Sequence, residues 1–131
     1  MIILDTHVLI WWVSDPQKLS EKARKKIKDG LKKSEILVSS ISVWEICMLV
    51  KKGRLKLTMD VDNWLEKVEN LPYIHFVPID NKIASKSVDL PDGFHQDPAD
   101  RMIVATALQK GAILITSDKK ILRYPHVRSL W

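Results

Sequence analysis

Three short apolar runs, each followed at once by hydroxyls or an acid, constrain this chain more than anything else in it. Met1-Ile2-Ile3-Leu4 ends at Asp5, Glu35-Ile36-Leu37-Val38 ends at Ser39-Ser40, and Ala112-Ile113-Leu114-Ile115-Thr116 ends at Ser117-Asp118. Runs this brief and this uniformly apolar suit strands buried on both faces. The segments between them carry helix caps and helical spacing. Strands alternating with helices predict an α/β fold: a mainly parallel sheet covered on both sides.

The remaining elements follow from local signals. Strands are expected at residues 1–5, 35–39, 74–79 and 112–116, with a short fifth at 127–131. A helix over 7–14 is ended by Asp15-Pro16, and Ser20 caps a strongly basic helix over 21–33. Ser40 or Ser42 opens a mostly apolar helix that closes near Gly53, and Asp60 or Asp62 opens another with Trp64, Leu65 and Val68 on one face. A further helix runs from Asp80 to about Asp89. Asp97-Pro98 combines a cap with a proline at the first helical position and starts a helix that ends at Gly111. There is no linker and no repeat, so residues 1–131 are expected to form one domain around one core.

An apolar content of 46% with 28% charged residues is that of a folded chain. The net charge is +5 although several acids are reserved for one place, so the remaining surface is basic and favours a polyanionic partner. Cys47 is the single cysteine, which excludes an internal disulfide and a Cys-rich zinc site and fits a reducing cytoplasm. The first apolar run has no basic flank and is stopped by Asp5, and Val8 to Val13 is too short to span a bilayer. A cytoplasmic location with no membrane association is the expectation.

Four acids stand in apolar company: Asp5, Glu45, Asp100 and Asp118. An isolated carboxylate in low dielectric escapes by protonation, pairing or a metal. Each has an ordinary alternative. Asp5 can end a strand and cap a helix, Glu45 can lie on a solvated helix face, Asp100 can complete a variant capping box, and Asp118 can close an Asx turn. Asp97 has an evident capping role, Thr6 can share the capping beside Asp5 or order a metal-bound water, and Ser117 is an auxiliary hydroxyl beside Asp118. Parallel sheets gather ligands beyond the C-terminal ends of their strands. Asp5 and Asp118 fall there, and four acids on one rim point to a divalent cation and phosphate chemistry.

In order and spacing these segments resemble PIN domains of the VapC type, the toxin ribonucleases of toxin–antitoxin systems. The likeness lies in Met1 to Trp12, in the Ser-x-x-x-x-Glu pattern of Ser40 to Glu45, in Asp97-Pro98-Ala99-Asp100-Arg101-Met102-Ile103-Val104-Ala105-Thr106-Ala107, and in Leu114-Ile115-Thr116-Ser117-Asp118. The resemblance implies a three-layer α/β/α fold with about five strands. It places metal binding and catalysis on Asp5, Glu45, Asp100 and Asp118, and implies a cognate antitoxin and a homodimer.

Oxygen-only ligands suit Mg²⁺, with Mn²⁺ as the alternative. The reaction expected is hydrolysis of an RNA phosphodiester by water. Lys119, Lys120 and Arg123 beside Asp118, and Lys51 and Lys52 beyond Glu45, are the candidate phosphate contacts. His7 is expected to point elsewhere on its helix, and His75, His95 and His126 read as surface or packing residues, His95 being the nearest to a substrate. Arg101 is expected to pair with a core acid or an antitoxin. The competing class is a non-catalytic metal- or protein-binding α/β module, such as a phosphoacceptor signalling domain. That class normally places adjacent acids after its first strand, whereas Asp5 is followed by Thr6.

Overall fold

The computed structural model describes residues 1–131 as five parallel strands alternating with helices. In chain order they are β1 (Ile2–Leu4), α1 (Thr6–Ser14), α2 (Glu21–Lys33), β2 (Ile36–Ser39), α3 (Ser40–Lys51), α4 (Val61–Glu69), β3 (Ile74–Val77), α5 (Asn81–Val88), α6 (Pro98–Lys110), β4 (Ile113–Ile115), α7 (Lys119–Leu122) and β5 (Ser129–Leu130). Short 3₁₀ turns occupy Pro16–Lys18 and Pro91–Gly93. The strand order is β3-β2-β1-β4-β5. Every pairing is parallel, with Leu4 opposite Val38 on one side and Ile115 on the other.

Alternate side chains on a strand leave by opposite faces, and this divides the core in two. Ile2, Leu4, Ile36, Val38 and Ile115 pack with Val8 and Leu9 of α1, Ala23 and Ile27 of α2, and Trp64 and Val68 of α4. Ile3, Leu37 and Leu114 pack on the other face with Ile83 of α5, Ile103 and Val104 of α6, and Ile121 of α7. The result is the expected three-layer arrangement. No helix is long and apolar enough to cross a membrane.

Caps set most helix boundaries. The side chains of Ser20, Asp60, Asp80 and Asp97 accept N–H bonds at the starts of α2, α4, α5 and α6. Gly111 closes α6 at φ +63°, a left-handed conformation that glycine takes without a Cβ clash. Three details differ from the sequence reading. Ser39, not Ser40 or Ser42, caps α3, because β2 passes into the helix with no loop. Ser42 is instead fully buried, and its hydroxyl hydrogen-bonds that of Thr6 at 2.8 Å. Asp118 caps the short helix α7, where only a turn was expected.

The five tryptophans serve different surroundings. Trp64 is buried and donates to Ser14 Oγ, Trp11 packs on Trp131, and Trp12 packs on Tyr73. Trp44 is 55% exposed on α3.

Candidate active site

Parallel strands bring their C-terminal ends to one rim, and this rim collects the acids. Asp5 follows β1, Thr116 to Asp118 follow β4, and Glu45 lies in the second turn of α3, which starts directly at the end of β2. α6 runs back to the start of β4, so its N-terminus, with Asp97 and Asp100, lies at the same end of the sheet.

Asp5 is 7% exposed and held at both oxygens. Oδ1 accepts the Thr6 N–H at 2.8 Å as the α1 cap, and Oδ2 accepts the Thr116 hydroxyl at 2.6 Å. Burial pushes its pKa above the ordinary carboxylate range. The bonds from Thr116 and Thr6 and the nearby His7 oppose the shift, and Asp118 adds to it.

Glu45 is half-buried, and its Oε1 is shielded from solvent with no hydrogen-bond partner. Burial raises its pKa first and Asp5 and Asp97 add to that, while Thr6 and His7 offset part of it. Asp100 is pushed up to about 8 by burial and then by Asp5, Asp97, Asp118 and Glu45. Acids from four separate segments thus share one electrostatic environment.

Asp97 is exposed, and its Oδ1 accepts the Asp100 N–H at 3.0 Å. This is the expected cap, and it leaves the Asp100 carboxylate turned to other neighbours. Asp118 Oδ1 accepts the Lys120 N–H at 2.9 Å, and the Asp118 N–H donates to Thr116 Oγ1 at 3.0 Å. Ser117 is half-buried between them.

Three residues that the sequence left in the background turn out to be central. His95 Nε2 lies 3.2 Å from Asp100 Oδ2, and ligand atoms of His95, Asp100 and Asp118 lie within 4.8 Å of one another. Thr116 links Asp5 to Asp118. Arg101 pairs with no acid: its guanidinium donates to the carbonyls of Ser87 at 2.8 Å, Val88 at 3.0 Å, Phe94 at 2.7 Å and His95 at 3.1 Å. It therefore ties the end of α5 to the loop that carries His95. The signal for His95 was its place two residues before Asp97. Nothing local pointed to the carbonyls that Arg101 binds. His75 bonds the Ser34 carbonyl and His126 pairs with Asp92, as packing or surface residues.

The basic candidates are all exposed. Lys119 and Lys120 open α7 directly after Asp118, and Arg123 follows its end. Lys51 and Lys52 lie at the C-terminal end of α3, about 9–10 Å along the helix axis from Glu45. None of the five forms an ion pair.

A parallel α/β/α sandwich with acids from four segments on one rim defines the class, and the chain belongs to the PIN domain family, which matches it over residues 2–127. It is 35% identical over 127 residues to Ribonuclease VapC22 of Mycobacterium tuberculosis, covering 97% of this chain and 94% of that protein. The fold is shared with VapBC2 from Rickettsia felis bound to a promoter DNA fragment, at TM-score 0.72 and 19% identity over 99% of this chain and 98% of that one. It is also shared with a toxin-antitoxin complex from Klebsiella pneumoniae, at TM-score 0.65 and 21% identity over 97% and 95% of the two chains.

Proposed function

We propose that this protein is a VapC-like toxin: a single-domain, divalent-cation-dependent ribonuclease that hydrolyses RNA phosphodiester bonds and is inhibited by a cognate antitoxin. The observation that carries this reading is the gathering of Asp5, Glu45, Asp97, Asp100 and Asp118 on one rim, where ligand atoms of Asp100, Asp118 and His95 lie within 4.8 Å of one another and no lysine or arginine pairs with any of the acids. Such a set repels its own charges and would repel a phosphodiester. Its raised proton affinities and the unpartnered Glu45 Oε1 mark a place that a small cation would satisfy. Near-complete alignment with a ribonuclease supports the choice of substrate.

Asp5, Glu45, Asp100 and Asp118 would hold Mg²⁺ or Mn²⁺, both of which accept carboxylate oxygens. When bound, the ion supplies positive charge to the phosphate and acidifies water for attack. Thr6 and Thr116 fix Asp5 so that its oxygens keep one orientation. Asp97 spends one oxygen on the α6 cap. Asp100 or Asp97 orients the attacking water or takes its proton. In-line attack breaks the P–O3′ bond, the departing 3′-oxygen takes a proton from solvent, and the products are a 5′-phosphate and a 3′-hydroxyl with the RNA 2′-hydroxyl not consumed. Lys119, Lys120 and Arg123 bind phosphates next to the scissile one, with Lys51 and Lys52 further along the strand, and Ser117 is the auxiliary hydroxyl. The protein acts in the cytoplasm as a homodimer.

Incubating end-labelled RNA with purified protein tests this directly. Cleavage is expected with Mg²⁺ and absent with chelator, and Asp5→Asn is expected to abolish it. Equal rates for the variant and the parent would end the proposal.

A further inference from the structure

We infer that His95 is a nitrogen ligand of the cation site and biases it toward Mn²⁺ and later first-row ions over Mg²⁺. The inference rests on the cation dependence proposed above and identifies the residue that sets the choice of ion.

The first observation is geometric. His95 Nε2 and Asp100 Oδ2 are 3.2 Å apart, yet the approach is not that of a hydrogen bond, and Nε2 has no other partner although it is shielded from solvent. A solvent-shielded ring nitrogen that makes no hydrogen bond is unfavourable and rare. Two neighbouring ligands of an octahedral ion, each about 2.1 Å from it, are separated by about 3.0 Å. The His95–Asp100 separation fits that edge. Asp118 lies close enough to supply a third ligand atom.

The second observation is that His95 is preplaced. Its carbonyl and that of Phe94 both accept from Arg101 Nη1. Its ring packs on Phe94 at 4.3 Å between centroids, and Phe94 is itself buried against Tyr124 at 4.8 Å. The imidazole thus reaches the acids from a loop anchored at its backbone and at its ring. An ion can use that nitrogen without first ordering the loop.

Ligand chemistry then gives the consequence. Mg²⁺ favours oxygen ligands and retained waters; imidazole suits iron, nickel, copper and zinc ions best, and Mn²⁺, although at home with oxygen, takes a nitrogen more readily than Mg²⁺ does. Replacing one oxygen position by His95 leaves Mg²⁺ usable through the carboxylates and adds a bond that Mn²⁺ exploits better.

The test measures binding, apart from activity. Free Mn²⁺ is followed by electron paramagnetic resonance for the parent, His95→Gln, Asp118→Asn and Asp5→Asn, and Mg²⁺ affinity is obtained by competition. His95→Gln is expected to weaken Mn²⁺ by about tenfold or more and Mg²⁺ by less than about threefold. The electron spin echo of the Mn²⁺-loaded parent is expected to show modulation from a directly bound nitrogen. That signal is read on the unaltered protein and does not depend on a variant folding. Its absence, or an unchanged Mn²⁺-to-Mg²⁺ ratio in His95→Gln, overturns the role of His95. If the two aspartate variants also bind both ions as the parent does, the cation reading itself falls. If they weaken both ions while the ratio ignores His95, only this inference is lost.

Discussion

The Thr116 hydroxyl donates to Asp5 Oδ2 at 2.6 Å, joining residues 111 positions apart. Thr116 Oγ1 in turn accepts the Asp118 N–H at 3.0 Å, so one side chain orients acids that follow two neighbouring strands. Thr116→Val keeps the shape and removes both bonds. It is expected to lower stability by about 1–3 kcal/mol, because buried polar groups lose their partner, and to weaken cation binding about 10- to 100-fold. Thermal melts and calorimetric titration check this, and Thr116→Ser is expected to restore most of both.

Asp5→Asn separates function from stability. The amide removes a buried charge that no lysine or arginine neutralises, so the melting temperature without divalent cation is expected to stay level or rise. Cation-dependent RNA cleavage is expected to fall by at least about 100-fold. A variant that loses activity only because it unfolds would contradict this role for Asp5.

The raised proton affinity of Asp100 predicts a pH dependence with a definite sign. Burial, then Asp5, Asp97, Asp118 and Glu45, push it up to about 8, against 3.8 for an ordinary aspartate. Between those values the folded chain keeps a proton that the unfolded chain has released. Stability without cation should therefore fall as pH rises from 3.8 toward about 8 and then level, with Asp5 and Glu45 acting in the same direction. A divalent cation competes with these protons, so the rise in melting temperature produced by Mg²⁺ should widen from about pH 5.5 to about 8. A gap that is constant across this range would show that these carboxyls do not bind the ion.

Arg101→Lys should destabilise the protein by about 2–3 kcal/mol, because an ammonium group cannot reach the four carbonyls that the planar guanidinium spans. Amide exchange should accelerate most around Phe94 to Gln96. Uniform acceleration across the fold would argue against a local clamp.

Lys119→Ala with Lys120→Ala should weaken single-stranded RNA binding and reduce the slope of log affinity against log salt by about 1.4, at about 0.7 for each phosphate that is no longer neutralised. Binding isotherms at several salt concentrations, with the cleavage-deficient Asp5→Asn background in all samples, give the slope. An unchanged slope would place the RNA elsewhere.

Much of the frame was legible because it rests on rules that act within a few residues. Asp97 before Pro98, Ser20, Asp60 and Asp80 cap their helices as their positions implied, and Gly111 ends α6. The uniformly apolar strands announced burial on both faces, and therefore a parallel sheet. The acids stood out because they interrupt apolar surroundings. Boundaries shifted where neighbours compete for one role, as when Ser39 took the α3 cap and released Ser42 to Thr6.

By itself the order of residues determined the element types and the layering and singled out the acids as candidates, since helical period, strand burial and capping are local or nearly local. Tertiary structure alone decided that the Thr116 hydroxyl meets Asp5, that Arg101 serves carbonyls instead of an acid, and that His95 faces Asp100 and Asp118. Those relations depend on which loops the packed sheet brings to one rim, and the angle at which a side chain arrives there is set by the packing of the whole chain.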